Sequence, residues 1–310
     1  MTAMSQAVAN PHRPFRNFAA TVLGIALGSM AFCCLGAPLI MRTALYTNST
    51  HQFYDVLVEQ RFGVAGAHYA AIIVGDSSAL EGVDTEIVKR KTGLETANLA
   101  LFGFSGLDSY DRLIATYLAH NSVPSHLVIY VSAKEPFFDG IAGTYERTLV
   151  TFRYGSLGEI ASLIWRNPGV VLWPAKLLGL SLWHGTIDLR GAYRDEVLNQ
   201  LRIDHGRFVN PAPPLGDDCR LNTEADISTK DRLSRLRQKY AGIIADVAIY
   251  VAPMPECDSA YDYYLRQYRG IADNTIQRLP NRDFVDYTHP TPDGAKETSR
   301  LLAEFLAARR

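Results

Sequence analysis

Apolar residues fall along this chain in three patterns. The first is a run of 25 residues between Arg16 and Arg42 that carries no formal charge and is rich in Ala, Leu, Ile, Val, Phe and Gly. About 20 such residues cross a bilayer as a helix, so a transmembrane helix is expected over 17–41. The second is a series of short apolar runs bounded by turn residues: YAAIIVG over 69–75, TANLALF over 96–102, HLVIYVS over 126–132, DVAIYVAP over 246–253 and DFVDY over 283–287. Such runs read as buried parallel strands. The third is helical periodicity over 80–91, 107–120, 230–244 and 260–278, with a last helix opening at Pro292-Asp293 and running through LLAEFL. Alternating strands and helices imply an α/β protein in three α/β/α layers around a central parallel sheet, whose ligands bind beyond the carboxyl ends of the strands.

One stretch breaks the alternation. Residues 140–215 hold Trp165, Trp173 and Trp183 in helical-looking segments, followed by the Pro-rich NPAPPLGDD, and read as an insertion. Aromatic residues at helical spacing are usually core, so the first expectation is a small subdomain interior. A cap over the active site, or a surface resting at a membrane interface, are the alternatives. The expected organisation is thus an arm over 1–16, a span over 17–41, a linker or helix over 42–66, and a domain over 67–310 carrying the insertion.

The short arm carries His12, Arg13 and Arg16 and no acid, which places the N-terminus in the cytoplasm and everything after Arg42 outside. A cleaved signal peptide is the rival reading, but the run is long for an apolar signal core, and the surroundings of Cys33-Cys34 lack a lipobox. Gly24 and Gly28 form a G-x-x-x-G pair that would let a second membrane helix approach closely, a spacing that also arises by chance in an Ala/Gly-rich segment.

Lys plus Arg (31) nearly balances Asp plus Glu (32), so no strong field attracts nucleic acid. Four cysteines, without C-x-x-C or zinc spacing, predict no metal site. Cys219 and Cys257 are the only two in the exported part, and an oxidising compartment permits them to pair. A disulfide is expected, with two free thiols as the alternative.

The candidate chemistry sits at strand ends. Gly75-Asp76-Ser77 follows the first strand, so Ser77 projects at the mouth of the sheet, and its backbone N–H can face a developing oxyanion. Gly75 is expected to permit the tight turn. Alone this tripeptide is more often a helix cap. Asp286-Tyr287-Thr288-His289-Pro290 follows the last apolar run, and its i, i+3 spacing lets Asp286 hold the imidazole of His289 while the other ring nitrogen faces a serine. Ser77, Asp286 and His289 are therefore the candidate catalytic set.

With both blocks in place the sequence resembles the SGNH (GDSL-like) hydrolase superfamily, whose first block is the Gly-Asp-Ser turn and whose last is D-x-x-H before a helix. The resemblance implies a flavodoxin-like fold. It also implies a second block in Asn98-Leu99-Ala100-Leu101-Phe102-Gly103, where Asn98 is a supporting residue and the Gly103 amide a second oxyanion donor beside that of Ser77. Asp76 is expected to order the turn. The third family block, Gly-x-Asn-Asp, is absent: the chain reads Val131-Ser132-Ala133-Lys134-Glu135-Pro136-Phe137. Losing one oxyanion donor costs about 3 kcal/mol in the transition state. Lys134 supplies charge there if it points inward, although a solvated loop lysine is the more ordinary reading.

The block and the topology are similar to those of membrane-anchored SGNH proteins of lipoteichoic-acid D-alanylation and, more loosely, of alginate and other polysaccharide O-acetylation. That likeness implies transfer of an acyl group through an acyl-serine onto an exported glycopolymer, with a multi-pass membrane O-acyltransferase as partner and no cofactor. A membrane-tethered esterase or thioesterase would use the same residues, and a non-catalytic scaffold is the remaining alternative.

Overall fold

The computed structural model describes residues 13–134, 143–224 and 230–309. Residues 1–12 of the arm, with His12, and Glu135, Pro136 and Phe137 of the altered third block lie outside the described residues.

Four strands, β1 (Ala71–Gly75), β2 (Thr96–Asn98), β3 (His126–Val131) and β4 (Asp246–Val251), form one parallel sheet in the order β2-β1-β3-β4. Ile73 is in register with Asn98 and with Val128, and Ile129 with Ile249. Every residue of β1 and β3 is buried, so both faces of the sheet are covered, which is why these strands read as unbroken apolar runs.

The helices are α1 (Arg13–Met41), α2 (Ala44–Thr50), α3 (Phe53–Phe62), α4 (Ser77–Gly82), α5 (Thr85–Thr92), α6 (Leu107–His120), α7 (Tyr145–Tyr154), α8 (Leu157–Arg166), α9 (Trp173–Trp183), α10 (Ala192–Ile203), α11 (Lys230–Ala241), α12 (Tyr261–Gln267) and α13 (Pro292–Ala307). One group joins α4, α5 and α13; another joins α6 with α3 and α11. The stretch read as a linker or helix is α2 and α3, and α3 packs into the domain: Val56, Leu57 and Val58 are buried, and Tyr54 shares a 2.6 Å hydrogen bond with Ser105. Within α1, Phe18–Met41 is long and apolar enough to cross a membrane.

Three expected elements differ. The helix expected over 80–91 is split, because Asp84 takes an extended backbone and caps α5, accepting from the amides of Glu86 (2.9 Å) and Ile87 (3.3 Å). The helix expected over 260–278 ends at Gln267. Beyond it, Asp273 and Asn274 turn their side chains onto the open edge of β4, accepting from the amides of Ile249 and Val251 at 2.8 Å each. That edge is where a fifth strand would pair. DFVDY accordingly forms no sheet strand: a 3₁₀ turn covers Asn281–Asp283, and Phe284 makes one isolated bridge with Pro290. Two short parallel strands, β5 (Met254–Pro255) and β6 (Arg278–Leu279), lie outside the main sheet.

The insertion consists of α7 to α10 with a 3₁₀ turn at Pro168–Leu172. It is not a tryptophan-filled core. Trp165 and Trp183 are exposed, and Trp173 is half-buried with its ring 5.5 Å from that of Tyr145. The end of α1 packs on α7, on the Pro168–Leu172 turn and on α9, and Arg42 Nε donates to the Phe152 carbonyl at 2.7 Å. Cys219 and Cys257 form a disulfide with a Cα–Cα distance of 5.7 Å.

Candidate active site

The sheet order has its switch point between β1 and β3: the chain leaves β1 for β2 on one side, while β3 lies on the other. A crevice opens there beyond the strand ends. Ser77 stands in it as the first residue of α4. Gly75 precedes it because β1 and β3 approach too closely for any side chain; a Cβ at Gly75 would collide with the Tyr130 carbonyl. The requirement is this approach and not the tight turn expected of it, since Gly75 is not among the positive-φ glycines.

Asp76 orders the turn. One oxygen accepts from the Ser78 amide at 2.8 Å and from the Ser78 hydroxyl, and the other accepts from the Ser132 amide at 2.6 Å, tying the start of α4 to the end of β3. As the first helical residue, Ser77 keeps an amide with no intrahelical acceptor.

The histidine arrives on a loop that closes on itself. The Val285 amide donates to the His289 carbonyl at 2.9 Å, and Asp286 Oδ1 accepts from the amides of Thr288 (2.8 Å) and His289 (2.9 Å). The loop is held at its far end by Gly294, whose missing Cβ leaves room for the Asp283 carbonyl. Asp286 Oδ2 lies 2.7 Å from His289 Nδ1, and His289 Nε2 lies 2.7 Å from Ser77 Oγ. The three expected residues are thus brought together in a line.

Glu81, which sequence reasoning missed, completes the electrostatics. It lies four residues after Ser77, on the same face of α4, with only 5% of its side chain exposed and Oε1 3.7 Å from His289 Nε2. Burial pushes its pKa up to about 7; His289 and Asn210 pull it down, and the charges of Asp286 and Asp76 push it further up. For His289 burial acts downward, but the hydrogen bond it donates to Asp286 and the charges of Glu81, Asp286 and Asp76 outweigh it and hold the imidazole above its usual value. Asp286 is pushed up by burial and pulled down more strongly by His289 and the two backbone amides, so it stays ionised.

A pocket of about 340 Å³ opens beside Ser77 and His289, lined by Phe102, Gly103, Phe104 and Ser132 among others. Gly103 opens a 3₁₀ turn, so its amide precedes that turn's own ladder. Asn98 does not face the pocket. It is buried as a clamp, donating to the carbonyls of Ala79 (2.8 Å) and Val83 (3.1 Å) and accepting from Ala100 (3.1 Å), which binds the end of β2 to α4. Lys134 is likewise not a lining residue; its ammonium sits 5.0 Å from the centre of the Tyr287 ring. Among the described residues of the altered third block, Ser132 lines the pocket. The insertion supplies part of one wall through Glu146, whose carboxyl is pushed up by burial.

The disulfide braces this arrangement from behind. Leu221 donates to the Cys257 carbonyl at 3.2 Å, and the Cys257 amide donates to Asn281 Oδ1 at 2.8 Å, at the start of the turn leading to Asp286. Among the described residues no group of three or more His, Cys, Asp or Glu side chains is placed to hold a metal ion. Comparison with known proteins returns no match: no family model, no curated protein and no solved structure is significantly similar to the chain.

Proposed function

We propose that the chain is a membrane-anchored, extracytoplasmic serine acyltransferase of the SGNH type, which moves an acyl group such as acetyl or D-alanyl onto a hydroxyl of a cell-envelope or exported glycopolymer. The observation that carries the proposal is His289 bridging Asp286 and Ser77 at 2.7 Å on each side. His289 Nε2 takes the Ser77 Oγ proton as Oγ adds to the donor carbonyl, and Asp286 holds the resulting imidazolium. The Ser77 and Gly103 amides bind the tetrahedral oxyanion. Collapse expels the donor alkoxide or thiolate, which takes the proton from His289 and leaves an acyl-serine. An acceptor hydroxyl, deprotonated in turn by His289, attacks the acyl carbon; Ser77 then leaves and recovers its proton.

The apolar length of α1 supports the anchor, and the basic arm supports a cytoplasmic N-terminus. Gly24 and Gly28 present an open helix face, which supports a multi-pass acyltransferase packing there and delivering the acyl group.

The test is release of p-nitrophenol from p-nitrophenyl acetate by the full chain in detergent, wild type against Ser77→Ala, with and without a hydroxyl-rich oligosaccharide. Ser77-dependent turnover with acylated oligosaccharide is the expected result. Ser77-dependent turnover yielding only free acid would replace transfer by a tethered esterase. Equal inactivity of the two proteins, together with failure of a fluorophosphonate to label Ser77, would sink the catalytic reading and leave a scaffold.

A further inference from the structure

Helix α9 departs from the rule for a surface helix. Pro174, Leu177 and Ser181 form its buried stripe, with Ser181 donating to the Thr50 carbonyl at 3.4 Å. The opposite side should then be polar. Instead Leu180 and Leu182 stand 44% and 67% exposed and Trp183 85% exposed, with Leu172 at 59% just before the helix. Lys176 is the only charged residue in its eleven. Trp165 at the end of α8 is 88% exposed. Exposed apolar residues scattered singly need no explanation, but two tryptophans and several leucines on consecutive elements do.

Their position says what covers them. The Pro168–Leu172 turn and α9 pack directly against α1, so this apolar surface begins where the membrane-crossing helix ends. Leu35 and Leu39 on the last turns of α1 are themselves exposed. The charges on these elements fit an interface as well: 157–187 contains Arg166, Lys176 and His184 and a single acid, Glu159, which is paired with Arg112 at 2.6 Å. Tryptophan with flanking basic residues is the composition favoured at the headgroup level.

We propose that the outer face of α9, with Leu172 and Trp165, lies in the interfacial layer of the same bilayer that α1 crosses, so that the domain is held against the membrane at two places. The occupant is lipid. Because α7 packs against the end of α1 and also contributes Glu146 to the pocket beside Ser77, this seating fixes the pocket relative to the membrane surface. The proposal rests on α1 being a membrane span and not on the chemistry assigned to Ser77.

All three tryptophans of the chain lie in the insertion, so tryptophan emission reports on the insertion, with Trp165 and Trp183 on the exposed surface and Trp173 half-buried. The full chain is reconstituted in phosphatidylcholine vesicles with acyl chains brominated near the headgroup or near the methyl end. The expected result is an about twofold fall in emission with bromine near the headgroup and a smaller fall with bromine near the methyl end, as a shallow helix requires. Trp165→Phe combined with Trp183→Phe leaves the half-buried Trp173 and should abolish most of that quenching, while Trp173→Phe should retain it. Circular dichroism of each variant confirms the fold. Emission indifferent to brominated lipid yet quenched by aqueous iodide would overturn the proposal and turn the search to a protein occupant.

Discussion

The mouth of the sheet and the α8–α9 surface are built on opposite terms. At the mouth the polar groups of the Asp286–His289–Ser77 line are engaged: both oxygens of Asp76, both of Asp286 and both ring nitrogens of His289 have stated partners, while Glu81 Oε2 and Thr288 Oγ1 are buried without one. Across α8 and α9 the exposed Trp165, Leu180, Leu182 and Trp183 have no cover among the described residues, and the exposed charges are few: Glu159, Arg166 and Lys176. A preorganised polar site needs its water replaced by fixed partners inside the chain. The apolar surface needs its water removed by something outside the chain. The difference supports the chemistry proposed for one region and the attachment proposed for the other, and it makes the two proposals separable by mutation.

The largest expected effect breaks the mouth alone. Asp286→Asn keeps the size of the side chain but removes the charge that holds the imidazolium and accepts from Nδ1. On the triad precedent it should lower Ser77-dependent turnover on the order of 10⁴-fold. Trp emission in brominated vesicles should not change. Equal loss in both assays would mean that the two regions are one cooperative unit and that the comparison fails.

A smaller effect tests what holds the mouth in place. The Cys219–Cys257 bridge closes a separation of 38 residues, and removing a cross-link of that span costs about 4 kcal/mol in the chain-entropy account. Cys219→Ser with Cys257→Ser should lower the midpoint of thermal unfolding, followed by circular dichroism in detergent. The 281–289 loop should suffer before α9 does, because Cys257 donates its amide to Asn281 and this segment carries Asp286 and His289. A variant as stable as wild type would show that the 219–221 contacts suffice without the bond.

The two regions also differed in how far their sequence disclosed them. AIIVG followed by Asp-Ser, and D-x-x-H followed by a helix opening at Pro292-Asp293, carry local signals strong enough to place Ser77, Asp286 and His289, and geometry joins all three. Glu81 was hidden because the pattern starts the helix at Leu80. Only a helix opening at Ser77, which the Asp76 cap enforces, puts Glu81 one turn above the serine. DFVDY has strand-like alternation, but pairing depends on a free neighbour, and the side chains of Asp273 and Asn274 already occupy the edge of β4. In the insertion, periodicity identified helices without telling which side faces inward. Tryptophan at helical spacing has the same pattern in a core and at a bilayer surface, and only the packing of α9 on α1 separates the two.

The smallest expected effect concerns proton balance at the mouth. Ser77 can lose its proton only to a neutral His289, so turnover should fall as acid protonates the imidazole, along a limb above the ordinary imidazole range because His289 is held high. Glu81, pushed up to about 7 by burial, lies 3.7 Å from the same Nε2, close enough for the charge of each group to bear on the proton of the other. The two groups therefore exchange charge with one another, and the limb belongs to the pair. Glu81→Gln keeps the shape of the side chain and removes the negative charge that favours the imidazolium. Less stabilised, the imidazolium should form only at lower pH, so the limb should move toward acid while turnover at alkaline pH stays near wild type. A purely structural Glu81 would lower turnover evenly across pH and leave the limb where it was. Asp286→Asn should move the limb in the same direction but with turnover collapsed throughout, so the two carboxylates on one histidine are told apart by their profiles: Asp286 orients the ring and sets the rate, and Glu81 sets the pH at which the ring is available.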